Sequence, residues 1–416
     1  IFSFNVLKQN FTKKENNMKL DNLEIFVTKN KTPGRGGKYF IFVKLITKCG
    51  IIGYGEVYAA AVHPQTMKAV IIDVFQRHMH NENPQNIEIM FRRAYSSGFS
   101  QRPDPTIIGA FSGLEIACWD IIGKSLNQPI HNLFGGRVRE KLRSYTYLYP
   151  RPDQQENKFY NSPDLSSEAA LKAVEMGFTA IKFDPAGPYT IYGGHQPTLD
   201  DLELSETFCS SIRKNVGTKA DLLFGTHGQF SPSGAIRLAR RLEKYDPLWF
   251  EEPTPPDSAK NMSLVASNTT IPIATGERLT TKYEFSEILR SGAATILQPA
   301  LGRVGGLWEA KKIAAIAEVF GAQIAPHLYA GPVEWSANIQ LSLTLPNFIL
   351  LESIETGGGF HAELLKSTIK WENGYVLAPT EPGLGIELNE EVASKNPYLE
   401  TDLHLNMSHS EHIPTN

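Results

Sequence analysis

The sequence predicts an α/β protein: a modified (β/α)8 barrel of the TIM type with an N-terminal α+β capping domain. The main observation is that, from Leu142 onward, eight short strand-like runs alternate with amphipathic helical stretches over about 210 residues. The segment before them has strand-like runs first and helical stretches afterwards. No G-x-G-x-x-G turn opens the repeated series, so a closed barrel is favoured over a doubly wound sheet.

The capping domain is predicted to span residues 18–140. Its runs LEIFVTK, KYFIFVKLITK and IIGYGEVYAA are typical of an antiparallel sheet, and a glycine-rich link at 32–38 joins the first two. The later stretch GAFSGLEIACWDIIGKSL carries apolar residues at helical spacing. Residues 1–17 contain neither a long apolar stretch nor a small-residue cleavage site, and we interpret them as a leader or extension before Met18.

The barrel domain is predicted to span residues 141–370. Its eight strands are predicted in the runs LRSYTYL, TAIKFD, ADLLFG, LWFEE, IPIATGE, ATILQ, QIAPH and FILLE. Residues 371–405 are predicted to return onto the capping domain, and residues 406–416 are polar and predicted to form a frayed tail.

Composition excludes several classes of function. The net charge of the 416 residues is −3, which does not suit a protein that binds nucleic acid or anionic lipid. Cys49, Cys118 and Cys209 are too few and too scattered for a disulfide framework, and we predict reduced thiols in a cytoplasmic protein. No uninterrupted apolar run reaches about 18 residues, so no membrane span is predicted.

Nearly every predicted barrel strand ends in a polar or ionisable residue. The carboxyl ends of parallel barrel strands converge on one face, so these side chains are expected to meet there. Two carboxylates in such a place can bind a hard cation such as Mg²⁺. Solvated rim charges or structural ion pairs are the alternative interpretation. The residues concerned are Tyr149, Lys182, Asp184, His227, Glu251, Glu252, Glu277, Arg278, Gln298, His327 and Glu352.

An ordered set of motifs adds a resemblance to a known family. The motifs are FSGLEIACWDIIGK, PIHNLFGG, IKFD, WFEEP, ATGE, RVGG, APH and LLES. With them the sequence resembles the enolase superfamily, in its mandelate racemase-like subgroup, over roughly residues 18–400. Within that subgroup it is most similar in motif to galactonate and mannonate dehydratase-like members. The resemblance implies a Mg²⁺-dependent enzyme that removes the proton next to a substrate carboxylate and stabilises the resulting enediolate.

Four catalytic roles follow from the resemblance. Lys182 matches a lysine that acts as the base. His227 matches a histidine that protonates a departing hydroxyl group. His327 matches a histidine on the seventh strand, which could donate that proton instead. Glu352 matches a glutamate that hydrogen-bonds a substrate carboxylate oxygen and must be protonated to donate.

The match to the family is incomplete at two positions. Glu251 and Glu277 match two of the three metal ligands, but Gly225 stands where the third acid is expected, and Asp184 is predicted either to replace that ligand or to pair with Lys182. Ala300 stands where the aspartate partner of His327 is expected. Without that partner His327 should have a less elevated pKa, which argues against a two-base racemase.

Substrate contacts are predicted in the cap and in the loops. The glycine-rich link should fold over the barrel mouth, and the insertion at 184–201 should bring aromatic and polar groups near the site. Arg303 is expected to contribute positive field, and Arg278 is expected either to contact substrate or to form a structural ion pair. The predicted substrate-binding residues are Arg35, His63, Tyr149, Tyr192, His195, Arg278 and Arg303.

Three functions remain open from the sequence. The first is a sugar-acid (aldonate or aldarate) dehydratase. The second is an isomerase, epimerase or lactone cycloisomerase, and the third is a non-catalytic ligand-binding protein. The predicted partner is a small-molecule carboxylate, with no nucleic acid and no membrane, and the resemblance suggests a homo-oligomer from dimer to octamer.

Overall fold

The capping domain begins with the predicted antiparallel sheet. A computed structural model describes residues 18–58, 61–184 and 193–403. Strands β1 (Leu20–Lys29), β2 (Tyr39–Thr47) and β3 (Ile52–Val57) pair in that order. The residues of β2 are almost all buried, since the sheet packs against the helices that follow it.

The long helix of the cap lies against β3. The helices here are α1 (Pro64–His78), α2 (Ile87–Tyr95), α3 (Pro105–Leu126) and α4 (Ile130–Leu133). Helix α3 begins after Asp104, whose carboxylate accepts hydrogen bonds from the backbone amides of Thr106 (2.9 Å) and Ile107 (3.1 Å). By length and apolar composition α3 could cross a membrane, but 83% of its apolar window is buried inside the protein, as in a core helix.

Eight parallel strands form the barrel and confirm the predicted fold class. They pair in the order β10-β9-β8-β7-β6-β5-β4, and β11 adds to the other side of β4. A parallel bridge between Ile324 and Phe348 joins the two ends of this order, which closes the ring. The strands are β4 (Lys141–Tyr147), β5 (Ala180–Phe183), β6 (Asp221–Phe224), β7 (Trp249–Glu251), β8 (Ile273–Thr275), β9 (Ile296–Leu297), β10 (Gln323–Ile324) and β11 (Leu351–Ser353).

The barrel helices surround this ring, and several begin at residues suited to helix starts. Ser162, Ser231 and Ser258 each accept a hydrogen bond from a backbone amide of the first turn, and Thr198 forms a capping box with Asp201. The helices are α5 (Glu156–Tyr160), α6 (Pro163–Met176), α7 (Leu199–Val216), α8 (Pro232–Leu242), α9 (Ala259–Ala266), α10 (Lys282–Arg290), α11 (Leu307–Val319), α12 (Pro332–Ser342) and α13 (Phe360–Glu363).

The C-terminal segment joins the barrel to the cap. Strands β12 (Trp371–Glu372) and β13 (Tyr375–Leu377) form a hairpin whose second strand pairs with β4, and helix α14 (Glu390–Lys395) follows. After α14 the chain runs beside β1, where the amide of Tyr398 donates to the carbonyl of Val27 (3.0 Å). The domain boundaries stay predictions, and the predicted leader at 1–17 and tail at 406–416 lie outside the described residues.

Candidate active site at the mouth of the barrel

A buried lysine and two carboxylates lie close together although they come from three strands that are not neighbours in the barrel. Lys182, at the end of β5, is 3% exposed, and its Nζ donates to Glu251 Oε1 at 2.5 Å. Trp249 Nε1 donates to the other oxygen of Glu251 at 3.0 Å. Glu352 Oε1 lies 3.7 Å from Lys182 Nζ, while its Oε2 accepts from the amide of Leu328 at 2.7 Å. The structure therefore brings together the predicted base and two predicted carboxylates.

Lys182 reaches this position because residue 225 is glycine. A Cβ atom built at Gly225 would lie 3.0 Å from Lys182 Cε and 3.3 Å from the carbonyl oxygen of Phe183. An acidic side chain at 225 would therefore compete with the lysine stem for the same space. The glycine at position 225, where an acid was expected, therefore leaves room for the side chain of Lys182.

The charges of this group are set by burial and by proximity. Burial disfavours the ammonium form of Lys182, but Glu251 and Glu352 outweigh it and raise the pKa of Lys182 well above its ordinary value. Burial raises the pKa of Glu352 to about 7, against the opposing effect of Lys182. A substantial fraction of Glu352 is thus protonated at neutral pH, as its predicted role as a hydrogen-bond donor requires.

His227 lies between two acidic residues just after β6. Its Nδ1 is 3.1 Å from Asp184 Oδ2, and its Nε2 is 4.0 Å from Glu277 Oε1. Burial lowers the pKa of an imidazole, but here Glu277 and Asp184 outweigh it and raise the pKa of His227 to about 9. His227 is therefore an imidazolium at neutral pH, and it can donate a proton.

His327, just after the seventh strand, is neutral where His227 is charged. Its Nε2 is 3.4 Å from Glu277 Oε2, and its Nδ1 is buried and has no hydrogen-bond partner among the described residues. Burial lowers the pKa of His327 to about 3, although Glu277 opposes this. This direction agrees with the less elevated pKa predicted for His327 from Ala300, and burial is its largest cause.

Glu277 lies between the two histidines and stays ionised. Burial alone would raise its pKa, but the neighbouring His327, His227 and Lys182 together lower the pKa of Glu277 below its ordinary value. Its Oε2 accepts no hydrogen bond within the described part of the chain. This oxygen is a buried acceptor that a cation can satisfy.

The predicted metal ligands are not assembled as a set of three. In the described ranges, no group of three or more His, Cys, Asp or Glu side chains is arranged to hold a metal ion. Asp184 is engaged by His227, and Glu251 by Lys182. Both oxygens of Glu251 accept hydrogen bonds, from Lys182 and Trp249, while Glu277 Oε2 accepts none among the described residues. The roles of Glu251, Glu277 and Asp184 as metal ligands stay predictions.

Tyr58 is a site residue that the sequence analysis missed. It follows β3 of the cap, and its ring centroid lies 5.4 Å from that of His327. The guanidinium of Arg303 lies 4.5 Å from the Tyr58 ring, and Arg303 Nη1 donates to the backbone carbonyl of Glu277 at 3.1 Å. An aromatic residue directly after the last cap strand could have indicated Tyr58. The residue predicted from this loop was His63, five positions further along.

The glycine-rich link covers the mouth of the barrel, as predicted. Arg35 Nη2 donates to the carbonyl of Pro150 at 2.6 Å, its guanidinium lies 5.0 Å from the Tyr149 ring, and it forms an ion pair with Glu355. A Cβ at Gly36 would lie 3.0 Å from the carbonyl of Ala330, so the link touches loops that follow three strands. A cavity of about 320 Å³, lined in part by Arg35, Tyr149 and Glu355, opens between this link and helix α6.

Other predicted substrate residues have different contacts. His63 caps helix α1 by accepting from the amide of Gln65 (3.3 Å), and its Nε2 lies 3.0 Å from the carbonyl of Glu400. Arg278 Nε donates to the buried carboxylate of Glu252 at 2.7 Å, which matches the structural ion-pair interpretation. The amide of His195 donates to the carbonyl of Gln229 (2.9 Å), and Tyr192 lies outside the described residues.

Comparison with known families decides the classification. The family model for the mandelate racemase / muconate lactonizing enzyme N-terminal domain matches residues 25–135, and the enolase C-terminal domain-like model matches residues 165–392. The chain belongs to the enolase superfamily. It is an enzyme of the mandelate racemase-like group, and its named relatives are dehydratases, that is, hydro-lyases.

Relatives and solved structures of this superfamily are similar over most of the chain. A D-gluconate/D-galactonate dehydratase of Picrophilus torridus is 33% identical over 364 residues, covering 86% of this chain and 88% of the relative. A D-galactonate dehydratase of Cronobacter sakazakii is 31% identical over 85% of this chain and 89% of its own. The solved structure of a mandelate racemase/muconate lactonizing enzyme from Sulfitobacter sp. is 61% identical, with a TM-score of 0.92 over 94% of this chain and 98% of that one.

Proposed function

We propose that this enolase superfamily member is a sugar-acid dehydratase that acts on an aldonate or aldarate. The observation that carries the proposal is the position of His227 between Asp184 and Glu277, on the same barrel face as Lys182 and Glu352. Dehydration next to a carboxylate needs a group that binds the carboxylate, a base for the α-proton and an acid for the leaving hydroxyl. The dehydratase relatives, at about 30% identity, support the same class.

Binding of the substrate carboxylate is assigned to Glu352. A protonated Glu352 can donate a hydrogen bond to a carboxylate oxygen of the substrate. Negative charge develops on that carboxylate when the neighbouring C–H bond breaks. Donors that are already buried and oriented there stabilise the charge without reorganisation.

Proton transfer involves the lysine and both histidines. The base takes the proton from C2, and His227 gives its proton to the C3 hydroxyl as the C3–O bond breaks, so that water leaves and the enol becomes a 2-keto-3-deoxy acid. Lys182 is the proposed base, and it must first leave its ion pair with Glu251 and lose its own proton. His327, which is neutral at pH 7, is the second candidate for the base.

A divalent cation is part of the proposal. Members of the enolase superfamily generally use Mg²⁺, and Glu251 and Glu277 are the carboxylates that would hold it here. When bound, Mg²⁺ supplies Lewis-acid stabilisation of the substrate carboxylate. Removal of divalent cations with a chelator, followed by addition of Mg²⁺, tests this dependence.

The first experiment is a turnover screen of aldonic and aldaric acids with Mg²⁺, in which formation of a 2-keto acid is measured. We expect at least one substrate, and we expect its product to be lighter than the substrate by one water. A product of unchanged mass would indicate the isomerase, epimerase or lactone cycloisomerase alternative. Ligand binding without turnover of any kind would contradict the enzymatic proposal.

The proposal also covers the binding partners, the oligomeric state and the cellular location. We propose a small-molecule carboxylate as the only substrate class, a homo-oligomeric state and a cytoplasmic location, with no nucleic acid or membrane partner. The oligomeric state can be measured by light scattering on the purified chain.

A further inference from the structure

Two barrel helices begin without a capping side chain of their own. Helix α11 follows Gly306 and helix α12 follows Gly331, and neither glycine can supply a side-chain acceptor. The first amides of a helix need acceptors, because no carbonyl of the same helix lies in front of them. At both helices the acceptors come from the capping domain.

The acceptors are two buried glutamates of the cap. Glu56, in β3, accepts from the amides of Gly331 (2.6 Å) and Glu334 (2.9 Å). Glu115, in α3, accepts from the amides of Leu307 (2.8 Å) and Trp308 (2.9 Å). Each carboxylate therefore lies at the positive end of a helix that belongs to the barrel.

The glycines before these helices are required by the approach of the carboxylates. A Cβ at Gly306 would lie 1.9 Å from Glu115 Oε2, and a Cβ at Gly331 would lie 2.7 Å from Glu56 Oε1. Glu56 and Glu115 are 1% and 0% exposed, so water does not compete for these bonds. The arrangement pairs a glycine in the barrel with a glutamate in the cap at each helix.

Both helices follow loops that carry residues of the candidate site. Residues 325–331, between β10 and α12, include His327, and residues 298–306, between β9 and α11, include Arg303. Tyr58, two residues after Glu56, contacts both of these side chains. The cap thus contacts each loop at two places: at the start of the helix that follows it, and at its site residue, His327 or Arg303.

We propose that Glu56 is a positioning residue for His327, and that Glu115 has the same function for Arg303. Each glutamate anchors the start of a barrel helix to the cap and so sets the position of the loop before it. The geometry of the site then depends on cap docking through two defined contacts. The proposal concerns the placement of these loops and does not need the dehydratase reaction.

Amide hydrogen exchange on the full chain tests the proposal. In Glu56→Ala we expect the amides of Gly331 and Glu334 to exchange at least about tenfold faster, with little change at Leu307 and Trp308. In Glu115→Ala, the matched control, we expect the reverse pattern. Equal acceleration at both helices in both variants would show general destabilisation and overturn the proposal.

A second readout follows His327 itself. In protein labelled with ¹⁵N-histidine, whose His327 signals are assigned with His327→Asn, we expect Glu56→Ala to shift the ring signals of His327 and Glu115→Ala to leave them in place. Glu56→Gln, which keeps one acceptor oxygen and the side-chain volume, should restore most of the native signals. Unshifted His327 signals in Glu56→Ala would overturn the positioning role.

The Gln variants replace the Ala variants if the latter do not fold. In Glu56→Gln one amide at the start of α12 loses its acceptor, so we then expect faster exchange there and not at α11, with a smaller shift of the His327 signals. Native exchange rates at the start of α12 in that variant would overturn the proposal. None of these readouts needs a substrate, so failure of the dehydratase proposal would be seen separately.

Discussion

The third and seventh strand ends of the barrel carry the same residue type in different charge states. His227 has Asp184 3.1 Å from its Nδ1 and Glu277 4.0 Å from its Nε2, and its pKa is raised to about 9. His327 also faces Glu277, but its second nitrogen is buried without a partner in the described structure, and its pKa falls to about 3. Burial lowers the pKa of both histidines, so the difference comes from their neighbours: Asp184 raises the pKa of His227, and Arg303 lowers that of His327.

The largest expected effect is the loss of the charged histidine. His227→Asn keeps a polar side chain but removes the proton donor, and we expect 2-keto acid formation to fall by about 10²–10⁴-fold in kcat. The measurement is steady-state turnover of the substrate found in the screen, with His327→Asn as the matched control. A decrease of less than about threefold in His227→Asn would exclude His227 as the acid.

The next effect comes from giving His327 the partner that it lacks. Ala300→Asp introduces a carboxylate where the resemblance places one, and we expect the pKa of His327 to rise by at least about one unit from its value near 3. The pKa is followed by NMR titration of the His327 ring, and Ala300→Asn provides a control of similar size without the charge. An equal rise in both variants would show that charge is not the cause.

A smaller change should follow removal of charge beside His227. Asp184→Asn keeps a hydrogen-bond acceptor but removes one of the two negative charges, so the pKa of His227 should fall from about 9 by roughly one unit. The same NMR titration measures this shift. Asp201→Asn, in the capping box of α7, alters a carboxylate elsewhere and should leave the titration of His227 unchanged.

The smallest expected effect concerns the burial of His361. Burial lowers the pKa of His361 to about 4, although its Nε2 lies 3.2 Å from the carbonyl of Ala330. The unfolded chain therefore binds a proton at this residue from pH 6.5 downward while the folded chain does not, and stability falls as the pH drops toward 4. Thermal unfolding should show His361→Gln losing less stability than wild type over this range, by at most about 1.4 kcal/mol per pH unit. Parallel curves for the two proteins would contradict this.

Much of the fold followed from local patterns. The alternation of strand-like and helical runs placed all eight barrel strands, because strand ends and amphipathic helices leave periodic signals. The convergence of Lys182, Glu251 and Glu352 also followed, because parallel strands of a barrel present their carboxyl ends on one face. The missing carboxylate was visible in the sequence at Ala300, and the pKa of His327 is lowered, in agreement with the predicted direction.

Other features depend on contacts between residues distant in sequence. The pairing of Asp184 with His227 depends on which neighbours each side chain reaches across two strands. Tyr58 and His63 lie five positions apart in one loop, yet packing brings the ring of Tyr58 to His327 and ties His63 to a helix start and a backbone carbonyl. Spacing along the chain does not determine such contacts.

The sequence by itself determined the class of fold, the superfamily and the set of ionisable groups at the strand ends, because these depend on periodicity and residue type. Only the tertiary structure decided the charge of each group and the manner in which the cap docks. Charge depends on burial and on neighbours a few ångströms away. The bonds from Glu56 and Glu115 to barrel helices join residues about 190 to 280 positions apart, a separation that no local pattern encodes.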